Sequence, residues 1–332
     1  MLPFLRNVIP ALLVAFLTAA CGGGGGGGET AAGTPDTGTP APTTGGGDDG
    51  TQADGIYAAA AELSSCRPGS LTEAEHLRVL DALNALRARH GLAAVARDTG
   101  REAAAGEAAL MMVANRALSH QPPASWTCYS AAGAGEAARS NLYLRSSSSG
   151  TLGFPSSSAL AALLLDDGVA SLGHRRWMLD PFLGPVAWGR ADGQPSGSSG
   201  ETMAGVLALI DAGARALGPA APDFVAMPQG SYPADLFPPT GVLSVSVVAD
   251  PANRNANRGR VDFATAAIRV TDPNGQDLAV TNRAEDYSGA GLPNLLSWQV
   301  GGLRTGLSYR VRIDGVRVDG VGRAIEYSFA LE

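Results

Sequence analysis

His174 stands in Gly173-His174-Arg175-Arg176-Trp177-Met178-Leu179-Asp180-Pro181, an imidazole followed by two guanidiniums and an apolar run that stops at Asp-Pro. An imidazole changes charge near neutral pH, so it can carry a proton in a reaction or, when neutral, ligate a metal. Trp177, Met178 and Leu179 are apolar enough to hold the segment in a core, and Gly173 gives the backbone freedom to turn His174 outward. Two other stretches bring a second imidazole and a carboxylate: Leu118-Ser119-His120, and Gly135-Glu136 opening Ala137-Ala138-Arg139-Ser140-Asn141-Leu142-Tyr143. These residues lie far apart along the chain, so only a fold can bring them together.

The elements that would position them are partly legible. Thr72-Glu73-Ala74-Glu75 is a capping-box signature, followed by Val79, Leu83 and Leu86 at helical spacing and a stop at Gly91. His76 and His90 fall on this helix without a ligand role, and His90 is expected to pack or to cap the last carbonyls. A second box, Thr99-Gly100-Arg101-Glu102, opens an alanine-rich, close-packing helix expected to reach about Leu118. Met111-Met112 reads as core filler there. Gln121-Pro122-Pro123 prevents continuation, which would leave His120 at a helix exit. Ile56 to Leu63 is expected to form a short helix before Cys66. Ala159 to Leu165 reads as an apolar helix ending at Asp166-Asp167-Gly168, and Val186 to Arg190 and Met203 to Ile210 read as strands.

Taken in order, the Leu83-to-Leu92 segment with its Asn-x-x-Arg helix ending in His-Gly-Leu, then His120, Glu136 and the Gly-His-Arg-Arg-Trp-Met-Leu-Asp-Pro stretch, resemble the CAP superfamily. This superfamily, also called SCP, includes cysteine-rich secretory proteins, venom antigens and pathogenesis-related proteins. The ending is similar to its bacterial branch, and the resemblance covers roughly residues 70 to 211. It implies an α-β-α sandwich whose cleft is lined by two histidines and two glutamates. Here it carries over to His120, Glu136 and His174. The second glutamate has no counterpart between Ser156 and Leu165, although Asp166 and Asp167 follow closely. Two imidazoles and a carboxylate would suit a divalent metal such as zinc with an open fourth position. The bland alternative is that Glu136 and His174 hydrogen-bond each other and fix the loops. A peptidase would use Ser119 or Ser171 as nucleophile, in neither case in a Gly-x-Ser-x-Gly setting.

Composition bounds the rest. The chain has 332 residues, a formal charge of −7 and no lysine, with its arginines scattered rather than striped, which argues against nucleic-acid binding. Arg6, the apolar run Val8 to Leu17 and Ala19-Ala20-Cys21 read as a lipoprotein signal over residues 1–21, with Cys21 lipidated and Thr18 where leucine is commoner. Residues 22–55, glycine-rich and then Thr/Pro/Gly-rich, read as a disordered tether reaching about 30 Å. With Cys21 given to lipid, Cys66 and Cys128 form an even pair in an oxidising compartment, either bonded or as two buried thiols. Gly22 in place of aspartate favours the outer membrane in a Gram-negative cell.

Residues 56–222 are assigned to the CAP-like domain and 223–332 to a second domain. Pro228, Pro233, Pro238 and Pro239 read as a linker into it, and six or seven strand-like runs then suggest an immunoglobulin-like β-sandwich, giving an α+β chain overall. Asp250, Asp314 and Asp319 do not make a calcium loop. The expected role is a lipid-anchored binding module of the cell envelope. It would take an apolar ligand such as a sterol or lipid, or a protein partner. The alternative is a metal-dependent hydrolase or peptidase.

Overall fold

A computed structural model describes residues 55–210, 213 and 215–332. The expectations for the signal segment, Cys21 and almost all of the tether lie outside these residues.

Thr72 starts α1 (Glu73–Arg89), its hydroxyl accepting the Glu75 N–H at 3.1 Å. Only half of the box closes, because the Thr72 N–H donates to Ile56 O. The second expected box is not formed. Arg101 precedes α2 (Glu102–Asn115) without a side-chain cap, and Asp98 instead accepts the Gly100 N–H. That helix stops earlier than its alanine content suggests, because Arg116 turns left-handed at φ 46°. His120 therefore sits on the loop beyond, not at the helix exit. Three shorter helices follow: α3 (Ala131–Ala137), capped by Ser130, α4 (Ser156–Leu165) and α5 (Gly173–Met178).

The expected short helix after Ile56 is instead β1 (Tyr57–Ala59), paired with β2 (Ser70–Leu71). A helix of so few residues is costly to nucleate, whereas the Tyr57 hydroxyl gains a bond to Asp192 and the backbone gains a partner strand.

Three antiparallel strands, β3 (Ser140–Ser146), β4 (Ala187–Gly193) and β5 (Thr202–Ala208), form the central sheet in the order β3-β5-β4. Every residue of β5 is buried. Its side chains alternate between two cores, Met203 and Leu207 toward Val79, Leu83 and Leu160, and Ala204, Val206 and Ala208 toward Ala105, Ala108 and Met112. The sheet thus has helices on both faces. The alanines let α2 approach so closely that a Cβ on Gly189 would fall 2.2 Å from the Ala105 carbonyl carbon.

Apart from a 3-10 helix at Arg254–Asn257, the remainder is β: β6 (Phe224–Met227), β7 (Gly230–Tyr232), β8 (Leu243–Val247), β9 (Val261–Asp262), β10 (Ala267–Thr271), β11 (Val280–Asp286), β12 (Leu295–Val300), β13 (Leu307–Val318) and β14 (Val321–Leu331). One sheet runs β10-β13-β14-β7 with β9 on β13, the other β11-β12-β8-β6. The proline-rich stretch read as a linker is in fact two strands, with Tyr232 and Phe237 fully buried. Its prolines fall between and after β6 and β7, where no ladder N–H is needed.

The core on the α1 side runs without a break into the core of the β region. His90 lies at this joint, buried, with Nε2 3.1 Å from the Tyr232 hydroxyl. Burial pushes its pKa down to about 4, and the nearby Arg175, Arg87 and Arg89 add to the effect. The folded state therefore resists a proton that the unfolded chain accepts near pH 6.5. His90 costs little at neutral pH and destabilises as pH falls from 6.5 toward 4, by roughly 2–3 kcal/mol at pH 4.5. Urea denaturation at pH 7 and 4.5 should show that much extra loss in the wild type over His90→Gln, and equal losses would rule the effect out.

Candidate functional site

The His174 side chain is set by the residue that ends α4. Asp166 takes the left-handed cap conformation, φ 54°, and its fully buried carboxylate turns toward α5. Oδ1 lies 2.6 Å from His174 Nδ1, and Oδ2 accepts the Arg175 N–H at 3.2 Å. A carboxylate only accepts, so Nδ1 carries the proton and Nε2 is left for other partners. Asn141 holds the same turn by donating to His174 O at 2.9 Å. The left-handed turn into α5 falls on Leu172, φ 47°, and not on Gly173. A Cβ on Gly173 would lie 3.3 Å from Ser171 Oγ and 3.9 Å from Ala290 Cβ, a tight fit that a small shift of the serine hydroxyl would relieve.

His120 Nδ1 is 2.9 Å from Ala137 O, so it too donates from Nδ1 and leaves Nε2 unengaged. Burial lowers its pKa, the Ala137 contact opposes this, and the charge His174 can carry lowers it further.

Glu136 is placed differently from expectation. It is fully buried and held by Arg101 and Arg139, Oε1 at 2.5 Å from Arg101 Nη2 and Oε2 at 2.9 Å from Arg139 Nη2. Ser140 Oγ adds a bond to Oε1 at 3.0 Å. Glu136 and His174 do not hydrogen-bond each other; each has its own partner. With two guanidiniums on it, the Glu136 carboxylate is neutralised and unsuited to a cation. Among the described residues no group of three His, Cys, Asp or Glu side chains is placed to hold a metal ion. The metal set expected from His120, Glu136 and His174 does not form. Nor does any described serine hydrogen-bond to either histidine, and Ser119 Oγ instead accepts the Gln121 N–H.

Residues 80–198 match the family model described as the cysteine-rich secretory protein family, CAP. The chain carries a CAP domain. No curated protein matches the chain.

Within the CAP domain the Gly-His-Arg-Arg motif divides its labour. His174 is held by Asp166, while the two arginines bolt the domain to the β region. Arg175 donates to Leu164 O, Leu165 O, Val242 O and Ser244 Oγ, and Arg176 to Asp286 Oδ1 and Leu292 O. Asp180, pushed up by burial, pairs with Arg254, whose guanidinium also lies 5.0 Å over the Trp177 ring.

A cavity of about 520 Å³ opens between α1 and residues 151–157. Ile56, Val79, Phe154 and Pro155 give it apolar walls, with Glu75 and Glu201 among its polar groups. At one side Arg190 grips Asp192 through two donors, 2.7 and 3.0 Å, and Ser156 Oγ at 3.0 Å. The sequence reading missed this cavity and missed Asp166 as the partner of His174. Asp166 had a signal, a carboxylate at a helix stop shortly before a histidine. The cavity had none, because its walls come from five separate stretches.

Proposed function

We propose that this chain is a ligand-binding module of the cell envelope, tethered through a lipid on Cys21, that takes an apolar molecule of the lipid or sterol class into the cavity beside α1. The observation that carries the reading is the cavity itself. Its volume falls in the range of small-molecule sites, and apolar walls with a few polar groups are the usual make-up of such sites. Cys21 closes the only processing-like sequence in the chain, and a lipid there with a glycine-rich spacer would hold the domain near a membrane that supplies such ligands. An envelope protein is the other partner this placement allows.

Ser157 is exposed at the start of α4 and lines the cavity. Ser157→Trp should fill it without burying a polar group. Titration of the purified protein with decanol, followed by calorimetry, should give saturable binding that this substitution weakens at least tenfold. Unchanged binding in Ser157→Trp, or none in the wild type, would refute the reading.

A further inference from the structure

The charges around the cavity are not balanced in what they offer a ligand. Both cationic groups on its wall already face a carboxylate. Arg190 gives its donors to Asp192 and Ser156, and Asp192 also receives the Tyr57 hydroxyl. Arg78 pairs with Glu75 Oε2. The Glu75 side chain is only 2% exposed while that of Arg78 is 55% exposed, so Arg78 is the counter-charge of a buried carboxylate. Drawing it off to a ligand would leave Glu75 charged, buried and unpaired, a strongly unfavourable exchange. The acceptors are less fully used. Glu201 Oε2 takes the Leu152 N–H at 2.6 Å, but neither Glu201 Oε1 nor Glu75 Oε1 takes a hydrogen bond from the described residues.

We infer that the cavity, on the reading that it is the ligand site, selects an amphiphile with a cationic, hydrogen-donating head such as a primary alkylammonium, and discriminates against an alkyl carboxylate. The apolar tail lies along Ile56, Val79, Phe154 and Pro155, and the head donates to Glu75 Oε1 and Glu201 Oε1. A primary amine is protonated at neutral pH and has three donors and no acceptor, which matches two free carboxylate oxygens. A carboxylate head meets two carboxylates, and each guanidinium on the wall is already ion-paired.

The test compares decylamine, decanol and decanoate on the full chain at pH 7 and low salt, by calorimetry. The three share a tail, so differences between them report the head. Decylamine should bind at least tenfold tighter than decanol, and decanoate weakest, because charge-assisted hydrogen bonds exceed neutral ones by about that much. Glu75→Gln should erase most of the preference for the amine over decanol. Glu201→Gln, at a less buried residue, should reduce the same preference and guards against a folding defect in the first variant. Equal binding of amine and alcohol, tightest binding of decanoate, or an undiminished preference in both folded variants would overturn the inference while leaving the cavity as the ligand site. Absence of binding by all three would overturn both.

Discussion

Arg175→Ala is expected to lower the stability of the protein by about 4 kcal/mol, the largest effect of any single substitution considered. The side chain is 1% exposed and satisfies three backbone carbonyls and a hydroxyl drawn from both sides of the joint: Leu164, Leu165, Val242 and Ser244. Truncation leaves those acceptors buried and unpaired and opens a cavity where a guanidinium was packed, two mechanisms that each cost a few kcal/mol. Burial already pushes the arginine down to about 10, while Asp166 nearby pulls the other way, and four hydrogen bonds offset the cost of burying its charge. Arg175→Lys should recover little, since an ammonium cannot reach four acceptors spread over a planar fork. Equilibrium denaturation of the two variants against wild type measures both effects. A loss under about 1 kcal/mol in Arg175→Ala would mean that the joint does not depend on this residue.

Removing the bridge between Cys66 and Cys128 should cost about as much. The two are bonded, with Cα atoms 5.0 Å apart and a sequence separation of 62. On the chain-entropy description a loop of that length is worth about 4 kcal/mol through the unfolded state. Both cysteines also have left-handed backbones, φ 53° and 59°, which the bridge helps to hold. The double variant Cys66→Ala/Cys128→Ala should therefore melt well below wild type, and reductant should shift the wild type but not the variant. A reductant-insensitive wild type with a melting point equal to that of the variant would contradict this account.

Local signals were read well where one side chain decides the backbone. Thr72 opens α1, Gly91 follows its end, and the fully apolar run before Asp166 is α4. Leu295–Val300 is a strand in full, because alternation and β-branched or aromatic content agree there. The failures share one cause. The alanine text of Ile56 to Leu63 favours a helix, but a strand partner and the Tyr57–Asp192 bond come from residues far away. The prolines after Asp223 read as a linker, yet each sits where its strand needs no donor.

The site divides in the same way. The sequence alone was enough to single out His174, His120 and Glu136, the pairing of the two cysteines as one of two alternatives, and the resemblance that the CAP match over residues 80–198 bears out. These rest on residue type and order, which a linear reading preserves. What each side chain touches was decided by tertiary structure alone. Arg101, 35 residues upstream, joins the neighbouring Arg139 in taking Glu136 out of any metal set, and Asp166 reaches His174 only because α4 ends left-handed. The cavity beside α1 exists because strand, helix and loop segments from Ile56 to Glu201 meet around a space that none of them encloses alone. Residue type sets which charges are present; distance and burial set which of them are still free to act.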